Sequence, residues 1–287
     1  MKLQFVCLFI ASIISASSLA QSNGEHSEPT LEDDLEVVDS LIVKGALDKA
    51  IENALELNDT YPKNLKIIQS LIFSYTGLGM TEQVRYWLKE KEKNHDDINQ
   101  SYLYTYLPLI ERDYQRAKIQ LDIFTKTADS SNPDVWYKAV PLAFHLGDYE
   151  EVIYCTEKVM TFMPERKNLT ALYAFALMQI GEKARARKIL SDHKEEMENN
   201  LIEDRNDYDA HLNLAKIAAI ESDSERAVYH LDNYMGDFIP DFIHYFLIDE
   251  PAYTFWDNIR NEAPYQTFFK NKENRIEEMK GNLMTSN

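Results

Sequence analysis

The side chains able to do chemistry are few and scattered in this sequence. Its seven histidines (His26, His95, His145, His193, His211, His230, His244) include no pair four residues apart and no H-E-x-x-H. A zinc centre needs three or four converging ligands, and Cys155 beside dispersed histidines does not supply them. No G-x-S-x-G marks a serine nucleophile. The eight glycines form neither G-x-G-x-x-G nor G-x-x-x-x-G-K-[ST], so no phosphate cradle for a nucleotide is expected. Asp and Glu total 48; any two of them can be imagined as an acid–base couple, and solvated helix faces are the simpler account. The expectation is a protein that is not an enzyme, with no catalytic residues, no metal and no cofactor.

Charge narrows the partners. Thirty Lys and Arg against those 48 acids leave a net charge of −18, which repels nucleic acid and anionic lipid surfaces. The basic run Lys183, Arg185, Arg187 and Lys188 reads as the exposed side of a helix. With 45% hydrophobic residues the chain still has ample material for a core.

Only 8 Gly and 9 Pro are present, about half the usual share of the two together, and long turn-free stretches are rich in Leu, Ala, Glu and Lys. A sandwich or barrel would need a turn signal every 8–12 residues. The expected class is all-α. At the start, Met1 and Lys2 precede an apolar run from Leu3 to Ile14, and Ser18-Leu19-Ala20 offers small residues at −3 and −1 of a cleavage site. The run is too short for a span of about 20 residues. Residues 1–20 therefore read as a signal peptide cleaved after Ala20, which places the mature chain in the periplasm or outside the cell with no stable membrane insertion. Residues 21–30 read as a disordered lead-in. Cleavage removes Cys7 and leaves Cys155 alone in the apolar stretch Val152-Ile153-Tyr154-Cys155, a buried and inert thiol.

The rest of the chain repeats. A small or apolar residue recurs at Ala50, Val84, Ala117, Val152, Ala186 and Ala227, at separations of 34, 33, 35, 34 and 41. Five residues ahead of each lies a turn position: Gly45, Gly79, Arg112, Gly147, Gly181 and Ser222. Pro62 and Pro164 follow at equivalent places, and Pro240 comes one residue late. Before and after each turn, apolar residues recur at three and four, as in Val37, Val38, Leu41 and Ile42 and then Ala50, Ala54 and Leu57. The unit is two amphipathic helices joined by a turn that wants glycine in left-handed geometry, with a small residue letting the helices approach. Thr30 with Asp33 resembles a capping box, and Asn132-Pro133 a capped helix start.

On these residues the sequence resembles the tetratricopeptide repeat (TPR) family, in its bacterial exported form. Its best units are Asn132 to Lys167 (Trp136, Gly147-Asp148-Tyr149, Val152, Pro164), Leu31 to Asn64, and Asn168 to Met197. The resemblance implies a right-handed α-solenoid of about six TPR-like repeats over 31–240 (31–64, 65–97, 98–131, 132–166, 167–206, 207–240). A C-terminal helical cap with a charged tail follows over 241–287, and the tail from Lys270 to Asn287 reads as a helix that frays towards its end. Pro108 and Pro141 interrupt first helices and predict bends. About seven extra residues in Glu195 to Asp207 read equally as a longer helix or a loop.

The resemblance also implies a concave groove lined by the first helix of each unit. Transferred by register, its positions are Asn99, Tyr102, Tyr106, Tyr137, Phe144 and Phe175, with Phe73 adjoining; aromatics so placed suit a bound peptide and equally suit inter-repeat core. The chaperone-type carboxylate clamp of some TPR domains is not reproduced at Leu35, Asp39, Gln69, Phe73, Tyr102 and Tyr106. The leading expectation is a non-catalytic envelope scaffold that binds a protein or peptide partner in this groove. The alternative is an envelope hydrolase or small-ligand-binding protein with a pocket around Tyr245, Trp256 and Tyr265. Self-association through the concave face is a third reading.

Overall fold

A computed structural model describes residues 30–94, 108, 111, 113–127, 133–164, 166–235 and 254–285. Among them every regular element is helical. The α-helices are α1 (Leu31–Val43), α2 (Leu47–Thr60), α3 (Leu65–Gly77), α4 (Thr81–Asn94), α5 (Tyr114–Thr127), α6 (Pro133–His145), α7 (Tyr149–Phe162), α8 (Thr170–Gln179), α9 (Lys183–Glu203), α10 (Tyr208–Ile220), α11 (Ser224–Met235) and α12 (Ala263–Thr285). Two 3-10 turns, Lys167–Leu169 and Phe255–Asn258, complete the set. The chain divides into two compact units. The first holds α1 to α4 and the part of α12 from Asn274; the second holds α5 to α11, both 3-10 turns and α12 up to Glu273.

One turn recurs between helices. Gly45, Gly79, Gly147 and Gly181 have φ of 68°, 66°, 70° and 95°, and Ser222 has 62°. At each, the residue after the turn donates its N–H across five residues and the turn residue donates across three: Ala46 to Leu41 and Gly45 to Ile42, both at 2.9 Å, then Asp223 to Ala218 at 2.9 Å and Ser222 to Ala219 at 3.1 Å. This pairing closes the last carbonyls of the first helix and requires left-handed backbone at the turn residue. Serine there carries a strain of about 1 kcal/mol that glycine avoids. Helix starts are also closed by side chains: Thr30 and Asp33 form a capping box (Thr30 N–H to Asp33 Oδ2, 2.8 Å; Asp33 N–H to Thr30 Oγ1, 3.3 Å), and Asn64, Asp148, Asp207 and Asp223 cap α3, α7, α10 and α11.

Within each unit consecutive helices pack in order, α1 to α4 in the first and α5 to α11 in the second, and first helices of successive pairs also touch: α1 with α3, α6 with α8, α8 with α10. The small residues at the start of the second helices, Ala50, Ala117, Val152, Ala186 and Ala227, are all fully buried. In the first unit α3 comes so close to α2 that a Cβ on Gly77 would stand 2.6 Å from Leu47 Cδ1, which explains a glycine outside the periodic turn. Helix α6 runs continuously through Pro141.

Two stretches bear on the lengths of the helices. The extra residues after the fifth pair are helix: α9 is 21 residues long because His193 and Met197 continue its buried face at a spacing of four. The tail from Lys270 is part of a 23-residue helix whose Ile276, Met279 and Leu283 are buried. In the first unit its Asn282 Nδ2 donates to Oδ2 of buried Asp48 (2.7 Å), and Arg275 reaches the Lys44 carbonyl (3.5 Å). The helix expected from Lys270 is present through Thr285, held by packing and by a buried carboxylate, and the end on which fraying is expected, 286–287, lies outside the described residues.

Candidate binding surface

The aromatic set assigned to a groove falls into three groups. Asn99, Tyr102 and Tyr106 lie outside the described residues. Phe144 and Phe175 are core: they are 0% and 3% exposed, their ring centroids stand 5.7 Å apart, and Phe255 contacts them at 5.2 and 5.5 Å. Their assignment to a partner-binding groove is therefore corrected. The cause lies in the segment that covers them. Thr254 and Asp257 form a capping box (Thr254 N–H to Asp257 Oδ2, 2.6 Å) that fixes the short 3-10 turn and drives Phe255 inward. Asn258 Nδ2 then donates to the Ala219 and Ile220 carbonyls (3.1 and 3.4 Å), closing the end of α10. Burying each such ring stabilises the second unit by about 1.5–3 kcal/mol.

Trp256 and Tyr265 also fill space. They are 8% and 4% exposed and stack at 5.9 Å, with Phe269 4.4 Å from Tyr265. The pocket reading loses these two walls, and Tyr245 lies outside the described residues.

Phe73 and Tyr137 remain half-buried on first helices, Phe73 on α3 in the first unit and Tyr137 on α6 in the second. Tyr137 is the centre of a polar cluster that the sequence did not announce. The Asn168 amide donates to its hydroxyl, and the Arg166 guanidinium lies over its ring at 5.0 Å. Arg166 and Asn168 belong to the short stretch between α7 and α8, which the 3-10 turn Lys167–Leu169 tightens. Lys167 Nζ stands 3.6 Å from Glu196 Oε2 on α9, and the same oxygen is 3.8 Å from Nδ1 of buried His193. Burial pushes the His193 imidazole below its ordinary titration range, with the neighbouring Asn213 of α10 and Glu196 opposing the shift. Asn213 in turn donates to the Asp209 carbonyl at 2.8 Å, and the charges of Lys216 and Arg166 act on the Asp209 carboxyl.

Asp209, Asn213 and Lys216 are thus a polar stripe on a helix whose remaining buried residues, His211 apart, are apolar, with Asn213 and Lys216 buried. Their spacing of four and three was visible in the sequence as polar residues interrupting Leu212, Leu214 and Ile217. With Arg166, Lys167, Lys216, Glu196 and Asp209, the cluster carries one more positive charge than negative on a chain of net −18. It can offer a peptide an aromatic face, an amide and paired charges. Among the described residues no group of three or more His, Cys, Asp or Glu converges as for a metal ion, and no helix is long and apolar enough to cross a membrane. Burial pushes the Cys155 thiol far above its usual value, and Glu151 beside it adds to the rise.

Helix pairs closed by one left-handed turn, with successive first helices stacked, define an all-α repeat protein. No protein-family profile and no curated protein matches the sequence. Among solved structures the chain is similar to the crystal structure of a tetratricopeptide repeat protein from Parabacteroides merdae, at 16% identity and a TM-score of 0.51, covering 84% of this chain and 83% of that one. The fold is of the TPR type.

Proposed function

We propose that this chain is a non-catalytic scaffold that binds a protein partner through the faces of its first helices. The observation that carries the reading is the Tyr137, Arg166 and Asn168 cluster: a half-buried aromatic ring held by a cation and an amide in the second unit, where Phe144 and Phe175 have been withdrawn into the core. A ring fixed in this way presents contact area at little further cost in side-chain entropy, the property of a binding anchor. The partner is a peptide or helix, and its site is the stretch from Tyr137 through Arg166 to Asp209. The leader-like start supports export, so the working place is the cell envelope.

Capture of partners from an envelope extract tests the reading. The double variant Tyr137→Ala, Arg166→Ala keeps the helical content and loses the captured proteins; unaltered capture by the folded variant contradicts the site. Intact mass of the protein recovered from its host tests export, with a mature chain beginning at Gln21 expected and a retained Met1 contradicting it.

A further inference from the structure

We propose that the sixth helix pair carries an acid-sensitive latch, in which buried His211 of α10 and His230 of α11 hold the two helices together through a mutual imidazole hydrogen bond that protonation disrupts. The two rings are 3% and 7% exposed, and their Nδ1 atoms stand 2.9 Å apart. Proton positions follow from the neighbours. His211 Nε2 is 3.2 Å from the Arg205 carbonyl, which can only accept, so Nε2 carries the hydrogen and Nδ1 keeps the lone pair. His230 must therefore donate from its own Nδ1. Both rings are neutral in this arrangement, and the bond joins residues 19 positions apart on two helices.

A further proton has no good place. On His211 Nδ1 it sets two N–H groups against each other unless His230 moves its own proton. On His230 it creates a cation whose described neighbours offer no countercharge. From α11 the ring meets the Arg226 guanidinium, itself bonded to Glu221 at 2.5 Å, and the Tyr229 ring at 5.1 Å. From α10 it meets His211, which lies in the first turn, where the helix dipole disfavours a cation. The Asp207 carboxylate at that end is committed to the Ala210 N–H at 3.0 Å. The turn before α10 contributes the Arg205 carbonyl, and α9 packs on Ala210 and Leu214 with Met197 and Leu201, which are apolar. Burial, with His211 and Arg226 adding to it, pushes His230 down to about 4.

The direction of the effect follows. An imidazole in an opened chain titrates near 6.5, so the latch is intact above that value. As pH falls from about 6.5 towards about 4, the opened form takes up a proton that the closed form refuses, and the closed state loses up to about tenfold per pH unit. Helix α10 also bears Asp209, Asn213 and Lys216, so opening disassembles part of the partner surface, a consequence that rests on the function proposed above.

Site-resolved hydrogen exchange on the mature chain without any partner tests the latch apart from that function. Between about pH 7 and about pH 5, corrected for intrinsic rates, protection in α10 and α11 is expected to fall at least about tenfold while α8 changes far less. The variant His230→Asn keeps a donor for His211 Nδ1, does not titrate, and is expected to flatten the fall. Equal falls in α8 and in α10 and α11, or an unchanged fall in the variant, overturns the proposal. Imidazole nitrogen shifts of the wild-type protein at neutral pH give an independent check: hydrogens at His211 Nε2 and His230 Nδ1 are expected, and the opposite pair of tautomers overturns it.

Discussion

The fifth helix pair, α8 and α9, and the sixth, α10 and α11, share a turn and differ in what they enclose. Gly181 at φ 95° closes one and Ser222 at φ 62° the other, with the same two backbone bonds, and Ala186 and Ala227 are both fully buried. The fifth pair is filled by Ala171, Tyr173, Ala174, Leu177, Ala186 and Leu190, with Ile217 reaching in from α10. The sixth buries four polar side chains, His211, Asn213, Lys216 and His230, where the fifth buries His193 on the later part of α9. A repeat therefore fixes how two backbones meet and leaves the contents of the pair open. The hydrocarbon core around α8 supplies stability that pH does not touch; imidazole and amide contents, His193 on the later part of α9 included, make a contact conditional.

Substitutions can break this contrast in order of size. Leu177→Ala, at a fully buried site in the fifth pair, is expected to cost about 3 kcal/mol in urea unfolding, with the same loss at neutral and mildly acid pH. A loss that grew in acid would erase the distinction between the pairs. Asn213→Ala in the sixth pair removes the donor to the Asp209 carbonyl and is expected to cost about 1–2 kcal/mol by the same measurement. Tyr173→Phe keeps the ring in the fifth core and deletes a hydroxyl that donates to Glu157 Oε1 at 2.8 Å beneath the half-exposed Arg185; about 1 kcal/mol or less is expected. A larger loss would mean that polar bonds hold the fifth pair as well.

The all-α class and the helix-pair period were legible because left-handed backbone at a turn is a demand that one residue type meets without strain. Ser222 was legible only through register, since serine by itself signals nothing of the kind. The groove was not legible at Phe144 and Phe175, because a binding face and an inter-repeat core both select aromatics in first helices. What decided between them was Phe255, more than 75 positions away, seated by the Thr254 cap. The stretch from Glu195 could not be read as helix or loop from its polar composition, and the buried faces of His193 and Met197 decided it. The members of the polar cluster Tyr137, Arg166, Asn168 and Asn213 come from three segments, α6, the stretch between α7 and α8, and α10, that no local spacing connects. The docking of Asn282 on Asp48 joins residues 234 positions apart and leaves no trace in the repeat.

The most direct test of the shared turn exchanges its residues between the two pairs. No atom lies within 4 Å of a Cβ placed on Gly181, so the cost of Gly181→Ser is conformational, about 1 kcal/mol or somewhat more. Ser222→Gly releases strain of similar size, reduced by the extra freedom glycine gives the unfolded chain. Chemical denaturation of the two single variants should show opposite signs, with Gly181→Ser destabilised and Ser222→Gly stabilised; changes of the same sign would contradict a common left-handed turn as the element that defines each pair.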